Sequence, residues 1–128
     1  MTNFHHVGIT CQNAQKSKEF YLKHFGFQLE KEVTAPAELI KNVFAINSPA
    51  KITYLISENM LIELFEFPED KRPAVMGSIS HFALIVPDRV ALFEMIKADG
   101  HETIKQAKPN GGFVLFVKDP DGVLIELK

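Results

Sequence analysis

The sequence predicts an α+β chain that uses one unit twice, strand-helix-strand-strand-strand, and three observations carry that expectation. The letters Leu-Ile-Glu-Leu stand at residues 61–64 and again at 124–127, each time inside an apolar run. A histidine directly followed by apolar residues occurs early in each half, at His6 before Val7 and at His81 before Phe82. The offsets match: His81 follows His6 by 75 residues, Gly100 follows Gly26 by 74, and Glu126 follows Glu63 by 63, the last being shorter because the first half has a longer middle loop. Each half alone is too small to bury both faces of a sheet. The expectation is therefore one domain over 1–128, with a first module at 1–67, a linker at 68–77 and a second module at 78–128.

The elements follow in chain order. Phe4 to Thr10 reads as a short strand. Asn13 can cap a helix whose apolar positions Ala14, Phe20, Tyr21 and Phe25 recur at helical spacing, and Gly26 stops it. An extended segment runs from Phe27 to Thr34, followed by a stretch around Pro36 and Pro49 that can hold a short helix or lid near Glu38 to Asn42. Ile52–Ile56 and Met60–Phe67 are rich in β-branched and aromatic residues, and the tight turn Ser57-Glu58-Asn59 joins them as strands. The polar stretch PEDKRPAVMGS, broken by Pro68, Pro73 and Gly77, reads as the linker. The order then recurs: a strand from Ser78 to Val86, a helix capped by Asp88 and ended by Gly100, and an extended His101–Gln106. Gly111-Gly112 opens a strand through Val117, and the turn Asp119-Pro120-Asp121-Gly122 leads into the last strand, Val123–Leu127.

Composition excludes several classes. The chain has 128 residues, 46% hydrophobic and 23% charged, which is the balance of an ordinary globular domain able to bury a core. A net charge of -2, with no basic run interleaved with aromatics, argues against nucleic acid. The first ten residues, MTNFHHVGIT, lack the basic and apolar regions of a signal peptide, and no apolar run approaches the roughly 20 residues needed to span a bilayer. The expected compartment is the cytoplasm. With Cys11 as the single cysteine, neither an intramolecular disulfide nor a cysteine-based zinc site is open to this chain. Any metal must be held by His, Asp or Glu.

An ionised glutamate in an apolar strand costs several kcal/mol unless it is paired, so the repeated Leu-Ile-Glu-Leu needs a cause. Strand side chains alternate between faces. Glu63 lies between Ile62 and Leu64, and Glu126 between Ile125 and Leu127; their apolar neighbours pack on the helices. Parity then puts His6, Glu63, His81 and Glu126 on the opposite, concave face, with Gly8, Leu61, Phe65, Ala83 and Leu124. Taken singly, a strand histidine is usually structural or solvated, and a glutamate between leucines usually faces water. The symmetric placement of all four favours a shared role. Two imidazoles and two carboxylates suit a divalent transition metal, leaving two positions of an octahedral ion for water or substrate. His5, His24 and His101 have no symmetric counterparts and read as surface or helix-facing, and Cys11 reads as a structural thiol.

The runs HHVGIT, KEFYLKHFGFQ, LIELFEF, SHFALIV and DPDGVLIEL resemble the vicinal oxygen chelate superfamily across nearly the whole chain. That group includes glyoxalase I, methylmalonyl-CoA epimerase, extradiol dioxygenases and fosfomycin or bleomycin resistance proteins. The ending GGFVLFVKDPDGVLIEL is similar to glyoxalase I in particular. The resemblance implies two tandem βαβββ modules forming a cup-shaped mixed β-sheet around a metal, with helices on the outer face, often as a homodimer. It places the metal ligands at His6, Glu63, His81 and Glu126, the positions that parity selects. The glyoxalase I set of His or Gln, Glu, His and Glu is matched in full. Bleomycin resistance proteins lack these ligands. Epimerases carry Gln where Glu63 stands, and their second base has no counterpart at Ile46-Asn47-Ser48. Extradiol dioxygenases need only two His and the final Glu, and Glu63 would fill a position their oxygen chemistry keeps open. Where glyoxalase I usually carries an Arg that holds glutathione, four residues beyond the first ligand, this chain has Thr10.

What the resemblance implies is a metal-dependent lyase or isomerase of glyoxalase type, acting on a small molecule with vicinal oxygens. A carboxylate, Glu126 or Glu63, would take a proton from the carbon beside a carbonyl that a divalent ion (Ni, Zn, Co, Mn or Fe) polarises, and the enediolate so formed would be stabilised. Leu61, Phe65, Phe113 and Leu115 are the expected pocket lining. The alternatives are a non-haem iron extradiol-type dioxygenase and a non-catalytic small-molecule binding or resistance protein.

Overall fold

The computed structural model describes residues 4–71, 81–109 and 111–128. The chain divides into two compact units, Met1–Val75 and Met76–Lys128, and each carries one sheet. The linker positions Pro73 and Gly77 and the beginning of the expected strand at Ser78 lie outside the described residues.

In the first unit, strand β1 (His6–Cys11) leads to helix α1 (Ala14–Phe25), then β2 (Gln28–Ala35), a short helix α2 (Ala37–Phe44), β3 (Ala50–Ile56) and β4 (Leu61–Glu66). The strand order is β1-β4-β3-β2. β1 and β4, the first and last strands, run parallel side by side, whereas β2–β3 and β3–β4 are antiparallel. The Asn13 side chain accepts from the Lys16 backbone N–H at 3.1 Å, and Gly26 closes α1 in the left-handed region at φ 69°. Replacing Asn13 by Ala leaves that N–H without its cap; a loss of about 1 kcal/mol is expected in urea unfolding.

Strand alternation sorts the side chains as the sequence requires. Val7, Ile9, Cys11, Ile62, Leu64 and Leu55 are buried on one face, against which α1 packs with Ala14, Phe20 and Tyr21. His6, Gly8 and Thr10 alternate with them and are exposed. Among the described residues of this unit, the second face is only partly covered. Ile40 of α2 joins Ala35, Ala50, Ile52 and Phe67 in a cluster at one end, and Phe44 of the same helix meets the ring of Phe65 at 5.4 Å. The expected helix near Glu38 to Asn42 is thus a cover for one end of that face. β2 is an edge strand, exposed along nearly its whole length and bearing Glu30, Lys31 and Glu32, and such charges discourage edge-to-edge pairing.

The second unit repeats the plan without the extra helix: β5 (Phe82–Leu84), α3 (Arg89–Ala98), β6 (Thr103–Ala107), β7 (Phe113–Lys118) and β8 (Leu124–Leu127), in the order β5-β8-β7-β6. β5 and β8 are again the parallel first-and-last pair. Asp88 caps α3 by accepting from the Ala91 N–H at 3.1 Å. The turn before β8 is held by Asp119, which is buried and accepts from the N–H groups of Asp121 and Val123, both at 2.9 Å, while Gly122 takes φ 85°. Those two bonds fix the entry of β8, which begins at Leu124, two residues before Glu126. For Asp119→Ala, which strands two amide donors beside a buried site, a loss of roughly 2–3 kcal/mol in chemical denaturation is expected.

Candidate metal centre

Each unit brings one histidine and one glutamate together, and the parallel strand pair does it. In the first unit the register sets His6 opposite Leu61 and Gly8 opposite Glu63, so these four positions share a face. His6 Nε2 then lies 2.6 Å from Glu63 Oε2. In the second unit Ala83 stands opposite Glu126, and His81 Nε2 lies 3.5 Å from Glu126 Oε1. Both first strands place a small residue, Gly8 or Ala83, across from the carboxylate. At Gly8 this matters sterically, because a Cβ there would sit 3.4 Å from the ring of Phe65.

The carboxylates are well shielded, with side-chain exposures of 12% for Glu63 and 14% for Glu126, while the two imidazoles remain accessible. At 2.6 Å, His6 Nε2 and Glu63 Oε2 stand at the separation of a short hydrogen bond. The His6 Nδ1 meets the Nδ1 of His5 at 2.8 Å, which orients the ring from behind. On Glu126 the second oxygen, Oε2, pairs with Lys128 Nζ at 3.0 Å. Nitrogen and oxygen ligands at about 2.0–2.2 Å from one ion, bound at right angles, stand about 3 Å apart. The two pairs, at 2.6 and 3.5 Å, bracket that separation, so the donor types and spacing within each pair fit a divalent cation.

Tyr54 adds to the first pair. It lies opposite Glu63 on β3 and its hydroxyl hydrogen-bonds the Glu63 carboxylate. Burial, then the negative charge of Glu63 and that hydrogen bond, push the Tyr54 phenol above its ordinary pKa, with a further contribution from Glu30. Lys31 Nζ lies 4.7 Å from the centre of its ring. A cavity of about 430 Å³ opens on this side of the sheet, lined by His5, Lys31, Tyr54, Ile56 and Leu61 among others.

The expected pocket residues divide. Leu61 lines that cavity. Phe65 shares the face of Glu63 but packs between Phe44 and Phe67, with ring centroids at 5.4 and 6.4 Å. Phe113 and Leu115 do not face Glu126, which corrects the expectation. Phe116 pairs with Glu126, so alternation turns Phe113 and Leu115 to the other face. There Leu115 is buried, and Phe113 carries Arg89 of α3 at 4.7 Å and Lys105 at 4.4 Å over its ring. Val114 and Phe116 occupy the positions that the sequence reading gave to these two.

Three residues near the pairs escaped the sequence reading: His5, Tyr54 and Lys128. The doublet His5-His6 was the available signal for the first, but strict alternation sends neighbours to opposite faces, and His5 escapes that rule because it precedes β1. Tyr54 becomes visible only once the register of β3 on β4 is known. Of the histidines set aside, His24 is buried on α1 beside Phe20, with ring centroids 5.2 Å apart, and His101 lies 3.7 Å from Asp99.

A βαβββ plan used twice, with a His–Glu pair on the equivalent strands of each copy, defines a duplicated fold with a metal-type donor set. The chain belongs to the Glyoxalase/Bleomycin resistance protein/Dioxygenase superfamily, the vicinal oxygen chelate group, whose sequence model matches residues 3–127. It is 28% identical over 127 residues to a protein named lactoylglutathione lyase GLX1 of Arabidopsis thaliana, covering 97% of this chain and 43% of that protein. It is 30% identical over 142 residues to a catechol-2,3-dioxygenase of Bacillus subtilis, covering 99% of this chain and 43% of that protein. The chain thus spans less than half the length of these two relatives. The fold is also that of the fosfomycin resistance protein FosX from Listeria monocytogenes, solved as a mutant complexed with Mn(II) and 1S,2S-dihydroxypropylphosphonic acid. The TM-score is 0.71 at 17% identity, covering 99% of this chain and 91% of that one. No helix among the described residues is long and apolar enough to cross a membrane.

Proposed function

We propose that the chain is a metal-dependent lyase or isomerase of glyoxalase type, acting on a small molecule with vicinal oxygens. The observation that carries this reading is the recurrence of one His–Glu contact at the parallel strand pair of each unit, His6 with Glu63 and His81, just before β5, with Glu126. On this reading His6, Glu63, His81 and Glu126 are the donors to a divalent ion (Ni, Zn, Co, Mn or Fe) in a protein that works as a cytoplasmic homodimer.

A divalent ion held by this set supplies Lewis-acid polarisation of a substrate carbonyl. His6 and His81, with Glu63 and Glu126, would hold the ion, and His5 meets the Nδ1 of the first ring at 2.8 Å. Glu126 takes the proton from the hydroxyl-bearing carbon beside the carbonyl and returns it to the former carbonyl carbon, while the hydroxyl proton passes to the other of the two vicinal oxygens, which leaves the substrate isomerised and the carboxylate restored. Phe116 and Val114, on the face of Glu126, reduce water access to that step. The cavity beside Leu61 and Tyr54 accommodates the rest of the substrate.

The test is metal content in protein purified without chelator, set against the variants His6→Ala, Glu63→Ala, His81→Ala and Glu126→Ala. Near-stoichiometric metal is expected in the parent and a fall of at least ten-fold in affinity in each variant, since each removes a ligand. Substoichiometric metal that the variants leave unchanged ends the metalloenzyme reading. The likeness to a catechol dioxygenase favours a second reading, tested by oxygen uptake: consumption with catechol and Fe(II), without metal-dependent deuterium exchange on α-hydroxycarbonyl or acyl-thioester compounds, replaces the lyase reading.

A further inference from the structure

The two units differ at a position on the strand beside each carboxylate. On the strand next to the glutamate, Tyr54 stands opposite Glu63, and the equivalent residue opposite Glu126 is Phe116. The difference is a single hydroxyl. In the second unit the Phe116 ring packs edge-on against His81, with centroids 5.2 Å apart, and offers the carboxylate nothing polar. In the first unit the Tyr54 ring is held from two sides, by Lys31 Nζ at 4.7 Å and by the cluster around Ile52, and its hydroxyl bonds Glu63. Glu126 pairs instead with Lys128, whose side chain is exposed, and an ion pair to an exposed lysine restrains little.

We propose that Tyr54 is a positioning residue for Glu63: its packed ring and hydroxyl fix the carboxylate so that Oε2 stays on the His6 side, making Glu63 the immobile ligand of the two. The inference rests on the metal-site reading. The physical reason is that a carboxylate has two equivalent oxygens and rotates between them. A donor anchored in a packed ring holds one orientation before any ion arrives, so less ordering has to be paid for on binding. Among the described residues no hydroxyl anchored in a packed ring faces Glu126, whose partners are His81 and Lys128, so Glu126 is the side chain that moves toward a substrate proton.

The experiment is a double-mutant cycle on Tyr54→Phe and Glu63→Ala, read by competition of Zn(II) against a chelating dye and by the visible absorption of the Co(II)-loaded protein. Tyr54→Phe is expected to weaken Zn(II) binding about ten-fold to a hundred-fold and to shift the Co(II) bands, while the far-UV circular dichroism of the metal-free protein stays that of the parent. In the Glu63→Ala background the same substitution is expected to change affinity less than two-fold, because the group it acts through is gone. A purely packing role would persist in both backgrounds. Affinity within two-fold of the parent for Tyr54→Phe, or an equal loss in the Glu63→Ala background, overturns the inference while leaving the metal site standing. A parent protein that takes up neither ion overturns both.

Discussion

Glu126→Gln is expected to lower the metal-dependent exchange of a substrate α-proton with deuterium by about 10²- to 10⁴-fold, the usual contribution of a positioned general base. The amide keeps the size of the side chain and one ligating oxygen but cannot accept the proton. The effect should therefore fall on kcat, with metal content reduced far less than in Glu126→Ala. Glu63→Gln supplies the contrast. Its carboxylate sits under Tyr54 and against His6, so the amide there should cost mainly metal affinity. The measurement is exchange at saturating metal for both variants, followed by NMR on the same substrate. A drop of less than three-fold for Glu126→Gln would remove Glu126 from the role of base.

The second large effect concerns stability. Leu64→Ala is expected to destabilise the chain by roughly 2–5 kcal/mol, because the side chain is fully buried and its loss leaves a cavity that packed neighbours close only in part. Leu64 lies on the central strand β4, opposite Ile9 on one side and Thr53 on the other, so it has no route to relax toward solvent. Against a typical total of about 5–15 kcal/mol, that is a large share. Urea unfolding followed by far-UV circular dichroism reads it directly. The neighbouring Glu63 faces the other way, so metal affinity extrapolated to the folded fraction should change little.

Much of the fold was legible because local signals and the repeat pointed the same way. Asn13 and Asp88 act as caps where the sequence places them, Gly26 and Gly100 end their helices, and the two Leu-Ile-Glu-Leu strands bury Ile62, Leu64, Ile125 and Leu127 on one face while Glu63 and Glu126 turn to the other. Strand parity was sufficient for the His–Glu pairs because it compares residues one or two apart on a single strand. It was insufficient for the pocket. Assigning Phe113 and Leu115 to the face of Glu126 required the register of β7 on β8, which depends on the turn at 119–122, and the observed register makes Phe116 the partner. The short helix α2 was similarly faint. It has no side-chain cap, and its amphipathic run is only two turns long, so packing of Ile40 against the sheet defines it more than propensity does.

The parallel contact between the first and last strands of each unit also has a kinetic consequence. His6 and Glu63 are 57 residues apart in the chain, and His81 and Glu126 are 45 apart, so neither pair exists until the intervening helix and hairpin are in place and the end strand has docked. Contacts of such long range carry the loop-closure entropy of the whole module and form late. An ion that needs both members of a pair therefore cannot template early folding. It can only slow unfolding and shift the equilibrium toward the closed module by mass action. A melting temperature that climbs with free Zn(II), with refolding rate unchanged and unfolding rate reduced, is the signature expected of a site assembled by the last strand to arrive.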